Sequence, residues 1–328
     1  MAIRIERRDG ILPGRSVWQV LDPDRDAVLR AVYDMWGVPK TDKFAGPTCV
    51  SIERRDFADL KSTLYWVCEK TDGVRYMLAC LKFRDLDLVV IVNRSHEVFL
   101  LGIELPTPAF RGTVFDGEIA IHRTTGRAHY LVFDAMAVAG TRVAEWTFGH
   151  RMSAVLELLG SAAQPETNVV RVQAKKFFPL TAMQEFSEFR EVARGHFEDD
   201  GVVFTPDEMP VETFRHRKMF KWKEKHTVDF EIGDNLEIRV YDQATRRPKK
   251  VGTLRTDVTD RGEKIEVGDI VECVIRGAKW HPLMRRTDKT HSNDVETFRR
   301  TIGNVKENIA FDEFFFKGFW VHHPVADC

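Results

Sequence analysis

The sequence predicts an α+β chain in two parts: antiparallel sheets with flanking helices over residues 1–230, then a β-rich part over 231–328. Three observations lead there. From Leu64 on, short apolar runs alternate with turn residues, the spacing of an antiparallel meander. Stretches with apolar residues at helical spacing flank that meander. Near residues 230–235 a lysine-rich strand gives way to a strand set of about 90 residues, the size of a small β-barrel.

In chain order, "DRDAVLRAVYDMWG" (24–37) reads as a helix stopped by Gly37. "FAGPTCVSIERRDFADLKS" reads as a Gly-Pro turn and a short helix near 55–61. "LYWVCEK", "RYMLACLKF", "LDLVVIVN", "HEVFLLG", "GTVFDGEIAIH" and "RAHYLVFDAMAVAG" follow as strands. Helices are expected near 148–159 and near 181–193, where Met183, Phe186 and Phe189 share a face. "DGVVFTP", "MFKWKEK", "TVDFEIG", "LEIRVYD", "KVGTLR" and "GDIVECVIR" return to strands. A closing helix from about Asn293 carries Phe298, Ile302, Val305 and Ile309. The apolar "FFFKGFW" (314–320) is expected to pack back on the first part.

The 328 residues suffice for two cores, and the net charge of −1 excludes a general nucleic-acid coat while permitting a local basic groove. Five cysteines without a C-x-x-C pair read as reduced, structural thiols. There is no apolar run of about 18 residues, so no membrane contact is expected, and "MAIRIERRDG" lacks the core of a signal peptide. An intracellular protein is expected, and "RRPKK" (246–250) reads as a solvated turn before it reads as a nuclear signal.

"VCEKTDGVRYML" (67–78) sets Lys70, Asp72, Gly73 and Arg75 at the end of an apolar strand. A lysine amine attacks phosphorus only when unprotonated, and in water its pKa is about 10.4. Burial and neighbouring cations favour the free amine. By itself the stretch also reads as a solvated hairpin turn, since Asp-Gly is a common turn dipeptide. Its company favours chemistry. Arg94 in "VNRS", Asp116 and Glu118 in "FDGEI", Phe133 and Asp134 in "LVFDA", and Asp200 before Gly201 recur at strand ends. Lys221 and Lys223 alternate on one strand face ahead of Asp229, and "RRTDK" brings Arg285, Arg286, Asp288 and Lys289.

This ordered set resembles the covalent nucleotidyltransferase superfamily of mRNA capping enzymes and ATP-dependent polynucleotide ligases. "KTDGVR" looks like its first motif, K-x-D-G-x-R, and the later motifs follow in the family's order. Thr71, the "KWK…HTVDF" form and the "W…RTDK…N" ending look like the capping branch, the GTP:RNA guanylyltransferases. The length is similar to a stand-alone viral type, and the likeness covers residues 44–309. The resemblance implies a nucleotidyltransferase domain followed by a C-terminal OB-fold β-barrel, with a cleft that opens and closes.

By position, the resemblance makes Lys70 the nucleophile that takes GMP from GTP. It sets Thr71 and Lys175 at the guanine edge, Phe133 against the base, and Arg75, Arg94 and Glu118 at the ribose and α-phosphate. Lys221 and Lys223 fall at the phosphates. Glu118 and Asp200 fall where a divalent metal, Mg²⁺ or Mn²⁺, is held; many relatives carry glutamate where Asp200 stands. Asp229, Arg286, Asp288 and Lys289 fall at the hinge and the last motif, which closes on the β- and γ-phosphates. Arg285 and Arg286 both suit that arginine, and the R-x-D-K spacing favours Arg286. The implied acceptor is the 5′-diphosphate end of RNA, with RNA triphosphatase and cap methyltransferase as separate proteins. A nuclear location is implied for a cellular protein, and host cell or virion for a viral one. The alternatives are an ATP-dependent ligase and a non-catalytic nucleotide- or cap-binding module.

Overall fold

The computed structural model describes residues 3–287 and 289–316. The chain divides into two compact units, one of Met1–Val50, Ala58–Lys221 and Phe315–Cys328, the other of Ser51–Phe57 and Trp222–Phe314.

The first unit is built on a large sheet. Its strands run in the order Ile5–Leu12, Arg15–Val20, Val98–Leu100, Leu86–Val92, Val74–Phe83, Thr113–Ile121, Ala128–Val138 and Thr141–Arg142. The central strands are covered on both faces, which is why "YMLACL" is apolar without alternation. Leu78, Cys80, Phe115, Tyr130 and Val132 face one core with Phe148, Met152, Val155 and Leu158 of the helix Phe148–Gly160. Met77, Ala79, Leu81 and Val114 face another core with Val28, Val32, Tyr33 and Trp36 of the helix Asp24–Trp36. That helix stops as expected: Gly37 is left-handed at φ 90° and its N–H donates to the Tyr33 carbonyl.

One connection departs from the expected meander. Ala128–Val138, the helix Phe148–Gly160 and Val170–Ala174 make a crossover, and Val170–Ala174 pairs parallel to Ala128–Val138. The apolar alternation of "VVRVQA" is too short to signal this. The crossover brings the chain back so that the Lys175 N–H donates to the Val132 carbonyl.

A second sheet runs Phe178–Pro179, Tyr65–Thr71, Asp199–Pro206, Arg215–Lys223 and Thr48–Ser51. Tyr65–Thr71, which carries Lys70, is thus an interior strand. The helix Met183–Ala193 buries Met183 and Phe186, as its stripe predicts.

The second unit corrects the expected OB-fold β-barrel. Its five strands lie in the order Arg247–Thr253, Glu237–Asp242, Thr227–Ile232, Ile270–Arg276 and Lys279–Arg285, and the two outer strands do not pair. Among the described residues no sheet closes. Both edges carry the reason. Arg247–Thr253 is largely exposed and sets Lys249 and Lys250 along its length, and Lys279–Arg285 contains Pro282, which has no N–H to offer a further strand. The closing helix is Val295–Glu307, capped by Asp294, whose side chain accepts from the Thr297 N–H. Most of "FFFKGFW" lies outside the described residues. Among the described residues no helix is long and apolar enough to cross a membrane, and Cys49, Cys68, Cys80 and Cys273 are free thiols.

Asp134, one of the strand-end carboxylates, is structural. It is 2% exposed and takes Arg151 in a two-pronged pair, at 2.7 Å from Nε and 3.0 Å from Nη2. Asp134→Ala leaves the Arg151 guanidinium buried and unpaired. It should lower the unfolding free energy by about 3–5 kcal/mol in a urea titration of the full chain. A midpoint equal to wild type would contradict this.

Candidate active site

Lys70 stands one residue before the end of its strand, between buried Glu69 and buried Thr71. Strand alternation therefore turns Lys70 to the face opposite those two. Its Nζ lies 2.6 Å from Asp200 Oδ1, across a register shift between Asp199 and Val202 on the neighbouring strand. That irregularity turns Asp199 inward to Arg190 and Arg194 and leaves Asp200 beside Lys70.

On the other face, Lys175 is 93% buried and uses all three donors. Its Nζ donates to the Glu69 carbonyl at 2.7 Å, Thr71 Oγ1 at 2.7 Å and Glu118 Oε1 at 3.1 Å. Burial disfavours this ammonium, but Glu69 and Glu118 outweigh burial and hold its pKa above the usual lysine range. Glu69 feels the reverse balance. Burial pushes its carboxyl up, Lys175 pulls it down, and burial wins. Its Oε2 is buried without a hydrogen-bond partner among the described residues.

Gly73 needs its missing side chain for a reason other than the tight turn expected of it. A Cβ there would sit 2.9 Å from the Ile119 carbonyl oxygen and 3.1 Å from Glu118 Oε2. The residue keeps the motif strand pressed against Glu118.

Arg75 pairs in register with Glu118, yet its guanidinium turns to Asp116, which is fully buried. Nε lies 2.9 Å from Oδ1, and Nη2 takes Oδ2. Burial opposes the Arg75 charge, and Asp116 overrides it. The guanidinium carbon lies 5.2 Å from the Phe44 ring centre and 5.5 Å from that of Phe133. Arg75 therefore props Phe133. Among the described residues Arg94 has no hydrogen-bond or ion-pair partner; some burial and the Arg75 charge lower its pKa.

Lys221 and Lys223 flank buried Trp222 on the strand Arg215–Lys223. In the second unit Asp229 is 5% exposed and gathers Arg286 Nη1 at 3.3 Å and Lys289 Nζ. Arg285 turns instead to Asp269, at 2.7 Å. Asp288 lies outside the described residues.

Among the described residues no group of three or more His, Cys, Asp or Glu could hold a metal as a protein cage. Two carboxylates near a nucleotide suit Mg²⁺ or Mn²⁺, which are held by one or two carboxylates plus substrate phosphates. Glu118 and Asp200 fit that need, since each already faces a positive charge.

Sequence reasoning missed Glu69, Phe44 and the pairing of Arg75 with Asp116. A carboxylate inside the apolar strand "YWVCEK" is the one signal that pointed to a buried charge partner for Lys175.

Residues 14–225 match the family model described as mRNA capping enzyme, catalytic domain. The chain is 24% identical over 315 residues to the mRNA-capping enzyme subunit alpha of Yarrowia lipolytica, covering 81% of this chain and 80% of that one. It is 24% identical over 338 residues to the mRNA-capping enzyme of Caenorhabditis elegans, covering 92% of this chain and 52% of that one. Among solved structures, a mycobacterial DNA ligase D with ATP is similar at 17% identity and a TM-score of 0.46, over 76% of this chain and 97% of that one, too little to carry an argument. With the greater part of its length matched, the chain belongs to the mRNA capping enzyme catalytic-domain family.

Proposed function

We propose that Lys70 is the nucleophile of this chain and that Glu118, Asp200, Lys175 and Phe133 assemble GTP around it. The chain is an mRNA guanylyltransferase, an enzyme of the nucleotidyltransferase type. The observation that carries the residue roles is the placement of Lys70. It stands in K-x-D-G-x-R at the end of an interior strand, with Asp200 at 2.6 Å on one side and the Thr71–Lys175 contact on the other.

The reaction has two half-steps. Lys70 leaves Asp200 and gives its proton to solvent, and its lone pair attacks the α-phosphorus of GTP. A P–N bond forms, the bridging P–O bond breaks, and pyrophosphate leaves. Arg94, Lys221 and Lys223 are assigned to the charge that grows on the phosphoryl oxygens. Arg286 and Lys289, with Asp229 and Asp288, are assigned to the departing pyrophosphate. A divalent cation held by Glu118 and Asp200 supplies positive charge at the α-phosphate when bound. In the second half-step a β-phosphate oxygen at the RNA 5′ end attacks the bound GMP, the P–N bond breaks, and Lys70 regains a proton.

Thr71 and Lys175 are assigned to the guanine edge. Lys175 is saturated at rest, so reading guanine requires it to release a contact. Glu118, at 3.1 Å, is its longest. Arg75, held by Asp116, is assigned to supporting Phe133 under the base. RNA triphosphatase and cap methyltransferase are proposed to be separate proteins.

Lys70→Ala and Lys70→Arg should both abolish the covalent guanylate adduct in intact-mass measurements, since arginine keeps its charge and cannot serve as nucleophile. An adduct surviving in Lys70→Ala would overturn the assignment. Phe133→Ala should weaken GTP binding by about 1–3 kcal/mol through lost stacking. An unchanged dissociation constant would remove Phe133 from the base site.

A further inference from the structure

Glu69 and Lys175 also line a cavity of about 520 Å³ in the first unit, which Lys70, Thr71, Phe133 and Asp200 do not line. The volume falls within the range of small-ligand sites. Two features of its wall point to one kind of occupant.

The first is charge. Arg171, Lys175 and Lys176 line the cavity against a single carboxylate, Glu69. Arg171 and Lys176 are exposed, and Arg171 is held only loosely, 3.9 Å from exposed Glu166. Lys176 lies over the Phe178 and Phe189 rings at 4.7 and 5.1 Å.

The second is a wall of rings. Phe197 meets His122 and His129 edge to face, with centres 5.4 and 5.3 Å apart. His122 also lies 5.0 Å from His196, their nitrogens 3.0 Å apart. Burial holds the His129 imidazole below its usual pKa, against the hydrogen bond that its Nδ1 makes to Gln173 Oε1, which accepts.

Flat rings for a base and cations for a phosphate together describe a single-stranded nucleic-acid subsite.

We propose that this cavity takes one nucleotide of single-stranded RNA, its base among His122, His129 and Phe197 and its phosphate on Arg171 and Lys176. The proposal rests on the reading of the chain as an enzyme acting on RNA ends. Lys175, which lines the cavity, also donates to Thr71, so a strand held here borders the proposed guanine-edge contact from the face opposite Lys70. With a net charge of −1, the chain has to hold RNA at local sites of this kind.

The test uses the full chain and a 3′-labelled ten-nucleotide RNA with a 5′-diphosphate, read by fluorescence anisotropy. Guanylate adduct formation from GTP is measured in parallel. The double variant Arg171→Ala/Lys176→Ala should lose about tenfold or more in RNA affinity, and its log–log salt dependence should be shallower by about 0.7 to 1.4. Phe197→Ala should lose about 5- to 160-fold. Adduct formation should match wild type in both, which also shows that they fold. Unchanged RNA affinity with an intact adduct overturns the strand site. So does an adduct lost together with RNA binding, because these residues would then serve the GTP site. So does free AMP displacing the RNA at equal concentration, because the cavity would then be a mononucleotide pocket. Absence of any adduct in the wild type would instead overturn the underlying enzymatic reading.

Discussion

The first unit depends on one buried ammonium. Lys175 arrives on the parallel strand of the large sheet and binds Glu118 of that sheet, together with the Glu69 carbonyl and Thr71 of the second sheet. Three hydrogen bonds from a single nitrogen tie the strand that bears Lys70 to the strand that bears Glu118. A neutral residue there would leave two carboxylates buried beside each other, Glu69 and Glu118, with nothing between them to balance their charge. The position of Lys70 is therefore set from behind, by a residue about a hundred positions later in the chain.

The same economy runs through the site. Lys70 faces Asp200, Lys175 faces Glu118, and Arg75 faces Asp116. Three of the cations expected to meet a nucleotide are thus matched at rest by a carboxylate. Of these three pairs Lys70–Asp200 is the most open to solvent, at 23% and 38% side-chain exposure, whereas Lys175–Glu118 and Arg75–Asp116 each set one sealed partner against one slightly exposed partner. Asp116 keeps the Arg75 guanidinium beside Phe133.

Much of this was legible in the sequence. Apolar runs between turn residues marked the strands, and helical spacing with Gly37 marked the first helix to within a residue of its end. The strand-end clusters were legible because charge inside apolar runs is costly and rarely accidental. The register was not. Nothing local says that Arg75 turns to Asp116, that Asp134 serves Arg151, or that Gly73 is needed to admit Glu118. Those facts depend on which strands become neighbours. The parallel return of Val170–Ala174 was hidden because five residues carry too little periodicity. The barrel expected at the C-terminal end failed for a related reason. Strand count and length were readable, but closure depends on whether two edges pair, and the lysines and Pro282 on those edges keep them apart.

The central claim is that an amine in this unit becomes bonded to a guanylate. The most direct measurement is the intact mass of the purified wild-type chain after incubation with Mn²⁺ and each ribonucleoside triphosphate in turn. The account predicts a gain of one guanylate with GTP, reversed by added pyrophosphate, and no gain with ATP. A chain that stays unmodified with GTP, or that gains an adenylate from ATP, would contradict it.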